Sequence, residues 1–128
     1  MRAQALLMLT LVLTGAPAMA TDAPQISAAT LAERLASTEP PQVVDVRQQH
    51  EYEAGHIPGA LLAPHDQLTD HLAALATYRD APLVLYCVSG RRAAMAAQQL
   101  QEAGFTRVEI MQDSYSGWRD QGHPVETP

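Results

Sequence analysis

Cys87 is the only cysteine in a chain of 128 residues. The five residues after it, Val88, Ser89, Gly90, Arg91 and Arg92, are of the kinds that build an anion cradle. Short side chains and a glycine let a loop turn its backbone N–H groups inward as a nest, and two arginines add positive potential. A helix starting just beyond would add its dipole. Such surroundings favour thiolate over thiol, bringing cysteines at comparable sites down to roughly 3.5–7.5. Cys87 is therefore expected to be a nucleophile facing an anion-binding loop, with Gly90 needed where that loop bends tightly. The competing reading is a small buried core residue, the common fate of a free cysteine. The composition of the loop favours chemistry.

The flanking segments predict how this residue is held. Pro82 opens an apolar run, Leu83, Val84, Leu85 and Tyr86, with no alternation, the pattern of a strand covered on both faces. Beyond the loop, residues 93–103 are rich in strong helix formers, and Gly104 stands where a helix would end in a left-handed residue. The sulfur should sit at the carboxyl end of a central strand, just before a helix.

The remainder of the chain alternates in the same way. Ile26 is expected to enter a first strand, and Ser27 or Thr30 to cap a helix carrying Leu31 and Leu35, Thr30 with Glu33 as a capping box. Pro40 and Pro41 stop it. Residues 43–46 read as a strand and 48–54 as a helix of one or two turns closed by Gly55. Residues 55–60, punctuated by two glycines and a proline, must form a specific turn. A short strand over 61–63 follows, then a helix capped by Asp66 and carrying Leu68, Leu72 and Leu75. Residues 108–111 read as the last strand and 115–121 as a short helix with Trp118 inward. Alternating strands and helices imply an α/β fold with a mostly parallel sheet and helices on both faces. In such sheets ligands bind beyond the carboxyl ends of the strands, which should bring Arg47 and His56 to the edge that holds Cys87.

Residues 1–20 are expected to lie outside this fold. Arg2, the apolar stretch from residue 5 to 13 and the small-x-small ending Ala18, Met19, Ala20 make a secretory signal peptide, with cleavage after Ala20. The uninterrupted apolar core falls short of the roughly 20 residues of a spanning helix. The expectation is a periplasmic or secreted protein with no membrane association after cleavage, a short linker over residues 21–25 and a single domain over 26–126. Removing the peptide takes Arg2 alone among charged side chains, leaving seven of the eight basic residues, all arginine, against fourteen carboxylates. This acidic balance argues against nucleic acid. A lone cysteine cannot form an internal disulfide, so packing must stabilise the domain and the thiol stays free.

Several of these stretches together resemble the rhodanese family of sulfurtransferases. They are Asp45, Val46 and Arg47; Glu51 and Tyr52; the run Gly55, His56, Ile57, Pro58, Gly59, Ala60; Tyr86 and Cys87 through Arg92; and Trp118 with Gly122, Pro124 and Val125. With the signal peptide, the chain is similar to the small exported single-domain rhodaneses of bacteria. The resemblance implies a three-layer α/β fold and residues 87–92 as the active-site loop. It implies that Cys87 carries sulfur as a persulfide, taken from a small anionic donor such as thiosulfate and passed to cyanide, a thiol or a protein acceptor. Neither cofactor nor metal is implied, and His50, His65, His71 and His123 have no metal-ligand spacing. The family pattern Cys-x-x-Gly-x-Arg puts the family's arginine at Arg92 and a variable residue at Arg91. Both are expected to raise the local potential, at least one of them touching the donor, while Ser89 either donates to the persulfide or caps the helix.

Away from the loop the expected roles are structural. Asp45 and Arg47, with Glu51 or Glu53, should fix the strand-to-helix turn, and His56 should brace its own turn through backbone hydrogen bonds. In one place the chain departs from the family: Asp113 and Ser114 stand where many relatives carry two glycines. Asp113 tolerates left-handed geometry better than most residues, so the turn is expected to survive with an altered rim. Two other functions compete. A phosphatase or arsenate reductase would want an arginine six positions after the cysteine, where this chain has Ala93. A non-catalytic sulfur carrier or interaction module would use the same fold for binding.

Overall fold

The computed structural model describes residues 23–128; the signal-peptide reading of residues 1–20 lies outside the described residues. Five strands and five α-helices follow one another, with a short 3-10 helix (Ala76–Tyr78) after the third: β1 (Gln25–Ile26), α1 (Ala28–Leu35), β2 (Gln42–Asp45), α2 (Gln49–Glu53), β3 (Leu61–Leu62), α3 (Leu68–Leu75), β4 (Leu83–Tyr86), α4 (Arg91–Glu102), β5 (Val108–Met111) and α5 (Ser114–Asp120). The strands form one sheet in the order β1-β5-β4-β2-β3. Every pairing between them is parallel, with Asp45 opposite Tyr86 and Leu85 opposite Ile110. The expected three-layer α/β architecture is present.

Side chains alternate across a strand with a period of two, and β4 shows the consequence. Leu83, Leu85 and Cys87 enter one core with Leu68 and Leu75 of α3 and Ala93, Ala96, Ala97 and Leu100 of α4. Val84 and Tyr86 enter the other with Ala28 and Leu31 of α1, Ile57, Met111 and Trp118 of α5. All four β4 residues are buried, which is why the strand reads as a continuous apolar run. A fully buried Leu or Val contributes about 1.5–3 kcal/mol. The small residues on the inner face of α4 let that helix lie close over the strand bearing the cysteine.

Several boundaries differ from the sequence-based expectation for identifiable reasons. Gln25 pairs with Ile110, Ala23 is buried and the Pro24 carbonyl accepts from the Ile110 amide, so the expected linker over residues 21–25 already contributes to the sheet. Ser27, not Thr30, caps α1, its hydroxyl accepting from the Thr30 amide at 3.0 Å. Gln67, not Asp66, precedes α3, because the Asp66 carboxylate accepts from the Gln48 side chain instead. Helix α4 begins two residues before position 93, directly after Gly90 at φ +90°. Among the described residues no helix is long and apolar enough to cross a membrane.

Candidate active site

Cys87 follows the last β4 residue, and its sulfur is met by two backbone amides. The Gly90 N–H donates to Sγ at 3.0 Å and the Ala93 N–H at 3.4 Å. Both donors come from the start of α4, where the first N–H groups of a helix have no preceding carbonyl to bond. The first intrahelical bond runs from the Ala94 amide to the Gly90 carbonyl, which leaves the Ala93 amide free to turn to sulfur. Gly90 takes its left-handed φ with open space around the position of a Cβ. Its requirement for glycine is therefore one of backbone conformation and not of crowding. The expected cradle of amides over residues 88–92 is thus corrected: Gly90 supplies one donor and Ala93, beyond that span, the other.

On its backbone side, the Cys87 carbonyl accepts from the Tyr115 amide at 2.8 Å. That amide is delivered by the turn between β5 and α5, the place where two glycines were missed. Ser114, not Asp113, takes the left-handed geometry, at φ 55°. Asp113 stays right-handed because its carboxylate is engaged elsewhere, accepting from the Ala28 amide at the start of α1 at 2.8 Å and from the Gln121 side chain at 3.3 Å. Gly117 makes room for it, since a Cβ there would stand 2.6 Å from the Asp113 Cβ.

The two loop arginines behave differently. Arg92 makes a two-pronged ion pair with Glu51 of α2, Nη1 to Oε1 at 2.7 Å and Nη2 to Oε2 at 3.0 Å. The same Glu51 accepts from the Gln48 amide. The Arg92 contact holds the Glu51 carboxyl down at about 2, and the Arg92 guanidinium is strengthened chiefly by that hydrogen bond, with a smaller contribution from the charge of Cys87. Arg91 is exposed, and its side chain has no hydrogen bond or ion pair among the described residues. Val88 is exposed as well, and so is Ser89, whose hydroxyl makes no hydrogen bond among the described residues; Gly90 occupies the capping position.

Asp45, Arg47 and His56 stand apart from the sulfur. Asp45 and Arg47 are buried together, with Arg47 Nη2 at 2.7 Å from Asp45 Oδ2 and donating equally closely to the Gly55 carbonyl. Burial is the largest single effect and opposes the Arg47 charge, but the hydrogen bond and charge of Asp45, with Tyr86, together outweigh it and raise the guanidinium above its ordinary value. Neither of the expected partners, Glu51 and Glu53, hydrogen-bonds Arg47; Glu51 meets it through charge alone. Instead Tyr86 joins, donating to Asp45 Oδ2 at 2.7 Å and accepting from the Ile57 amide at 3.1 Å. Burial first, then the Asp45 carboxylate, pushes its phenol upward. Arg47 also lies over the Tyr115 ring at 4.0 Å. His56 braces its turn as expected: Nδ1 meets the Tyr52 carbonyl at 2.9 Å, and the ring stacks on Tyr52 at 3.6 Å. It also clasps the C-terminal segment through Glu126. None of these three residues hydrogen-bonds the cysteine; they form the floor that fixes the end of β4.

Cys87 itself has no exposed surface. A reagent can reach the sulfur only when the groups packed around it move aside. A groove of about 480 Å³ elsewhere in the domain, among Leu35, Pro41, Pro58, Trp118 and Pro124, does not include the cysteine. Among the described residues no group of His, Cys, Asp and Glu is placed to hold a metal ion. The arrangement can stabilise negative charge on one sulfur by two fixed amides.

Known proteins share this framework. The chain is 33% identical over 104 residues to a sulfurtransferase of Allochromatium vinosum, covering 81% of this chain and 95% of that one. It is 30% identical over 95 residues to the Escherichia coli strain K12 protein YibN, covering 73% of this chain and 66% of YibN, so it spans just under two thirds of that relative. The structure of the human single-domain sulfurtransferase TSTD1 superimposes with a TM-score of 0.69 at 32% identity, over 77% of this chain and 97% of that one. Residues 27–121 match the rhodanese-like domain, and with the sulfur-bearing loop at the end of its central strand the chain belongs to the rhodanese family.

Proposed function

We propose that the protein is an exported sulfurtransferase that moves a sulfane sulfur from thiosulfate, or a similar small anionic donor, to cyanide or a thiol through a persulfide on Cys87. The Cys87 thiolate attacks the outer sulfur of the donor; a new S–S bond forms, the old one breaks, and its electron pair leaves with sulfite. The acceptor anion then attacks the outer sulfur of the persulfide and departs as thiocyanate or as a new persulfide, returning the thiolate. No electron is gained or lost from outside, so no redox partner is needed. The observation that carries this reading is the convergence of the Gly90 and Ala93 amides on Sγ. Fixed donors of this kind stabilise developing negative charge as an oxyanion hole does. The amides of Arg91 and Arg92, in the same first turn, are left for the second sulfur atom.

A second reading is a protein-partnered carrier that gives up sulfur only when a docked acceptor opens the loop; the complete burial of Cys87 favours it. Thiosulfate-to-cyanide transfer by the protein beside Cys87→Ala and Cys87→Ser tests the first reading. Thiocyanate production should vanish in both variants, and equal activity in all three would remove the covalent mechanism. Intact mass before and after thiosulfate should show a gain of one sulfur atom on the wild type alone. A wild type that gains the sulfur yet makes no thiocyanate would establish the carrier reading in place of the enzyme.

A further inference from the structure

Sulfur transfer to a thiol has two halves with different needs. Thiosulfate arrives as an anion and loads Cys87 without moving a proton. A thiol acceptor must first lose one, because the thiolate is the nucleophile and an alkyl thiol is mostly protonated at neutral pH. The groups that meet Sγ are amide donors, and Arg92, whose guanidinium feels the charge of Cys87, cannot act as a base.

A histidine stands at the same edge of the sheet. The His65 amide donates to the Val46 carbonyl at 3.0 Å and the Val46 amide to the Tyr86 carbonyl at 3.1 Å, so His65, Val46 and the end of β4 lie in one row across the carboxyl ends of β3, β2 and β4. Two strand spacings put the His65 backbone about 10 Å from that of Cys87, a span that an imidazole and an acceptor thiol fill together. Ala63, two residues before it, packs in the same core as Val46 and Cys87. A hydrogen-bonded chain links this turn to the sulfur loop: Asp66 accepts from the Gln48 side chain at 2.9 Å, the Gln48 amide donates to Glu51 at 3.1 Å, and Glu51 holds Arg92 at 2.7 Å. The Asp66 carboxylate feels the charges of both His65 and Arg92. Nδ1 of His65 is buried and has no hydrogen-bond partner among the described residues, unlike Nδ1 of His56, which is tied to the Tyr52 carbonyl. His123 also has a buried nitrogen without a partner, but its ring packs on Trp118 in the opposite core.

We propose that His65 is the general base of the second half-reaction and that the acceptor it serves is a protonated alkyl thiol. The S–H proton passes to the imidazole, directly or through one water. The thiolate attacks the outer sulfur of the Cys87 persulfide; a new S–S bond forms, the old one breaks with its electron pair staying on Cys87, and the imidazolium returns the proton to water. Histidine suits the task because its ordinary range spans neutral pH. The charged groups linked to it are Asp66 on its own turn, Glu51 of α2 and Arg92 of α4. The inference rests on the persulfide route proposed above and adds the acceptor to it.

Acceptor acidity separates the two roles a histidine could have here. The protein is loaded with thiosulfate, the gain of one sulfur atom is followed by intact mass, and the persulfide is discharged into mercaptoethanol or into trifluoroethanethiol, a thiol of similar size that is mostly ionised in mildly alkaline buffer. His65→Gln should load as the wild type does, discharge into mercaptoethanol about a hundredfold more slowly and discharge into trifluoroethanethiol within about twofold of wild type, the first being the low end of what a positioned base contributes. His65→Asn, which keeps a polar atom near the place of Nδ1, should show the same split. His50→Gln, at an exposed histidine of α2, should match the wild type with both thiols. Equal slowing toward both thiols, or none toward either, overturns the inference, as does failure of both His65 variants to load, which would assign the residue to the fold. A wild type that takes up no sulfur sinks the persulfide route and this inference together; one that loads and discharges while the variants do not separate the thiols sinks this inference alone.

Discussion

Replacing Tyr86 by Phe should cost far more than the loss of one oxygen atom suggests. The Tyr86 hydroxyl donates to the Asp45 carboxylate and accepts from the Ile57 amide, and Tyr86, Asp45 and Ile57 are all fully buried. A hydrogen bond to a charged group contributes about 1.5–3 kcal/mol, and a buried N–H left without a partner costs about 1–3 kcal/mol. Asp45 keeps its Arg47 contacts and phenylalanine carries no hydroxyl to desolvate, so the two amounts do not simply add; a net loss of about 3 kcal/mol is expected. For a domain of this size that corresponds to a fall in Tm of about 12–24 °C. Urea unfolding should show a lower midpoint with an unchanged slope. Tyr78→Phe serves as the control, because the Tyr78 hydroxyl has no partner among the described residues. A loss below about 0.5 kcal/mol for Tyr86→Phe, the level of an ordinary surface change, would refute the claim that this buried network fixes the end of β4.

The Glu51 carboxyl at about 2 lies below its ordinary 4.5, so its contact with Arg92 contributes fully above the ordinary value and is lost as pH falls toward 2. Chemical denaturation at pH ~6 and ~3 should show the wild type losing about 1 kcal/mol more than Glu51→Gln, a full shift of ~3 kcal/mol being discounted for a pair still in contact with solvent; parallel losses would contradict the assignment. Gly90→Ala faces no clash but must hold φ +90°, which costs about 1–2 kcal/mol. It should also turn an amide away from Sγ, so kcat for sulfur transfer should drop more than stability does. Asp113→Ala removes the acceptor for the first amide of α1 and should lower stability by about 1 kcal/mol, read as a lower Tm. An unchanged melting curve would show that the carboxylate is idle.

Local patterns carried much of this structure. The apolar run before Cys87, the glycine three residues after it and the helix formers beyond were enough to place the sulfur at the end of a buried strand, because each of those features acts within a few residues. The bracing role of His56 was legible for the same reason: its partner Tyr52 is one helical turn away. The Ala93 amide was not legible, since alanine offers no side chain to draw attention and its importance comes only from its place in the first turn of α4. Nor was the partner of Arg92, which lies 41 residues earlier in the chain and meets it only once β2 and β4 have paired. The choice of Ser114 over Asp113 for the left-handed position shows a local preference overruled at a distance. Aspartate adopts that conformation more readily, but here its carboxylate serves the start of α1 and the serine takes the strained place.

The complete burial of the sulfur also limits whom it can meet. Two copies of the protein could join through their cysteines only if the β-carbons came within about 3.5–4.5 Å of each other, an approach that a rim of backbone and side chains around each thiol forbids. A molecule of a few atoms needs only a brief gap. Burial at the end of β4 therefore keeps one unpaired thiol from linking to another by the dimensions of the visitor and not by redox potential.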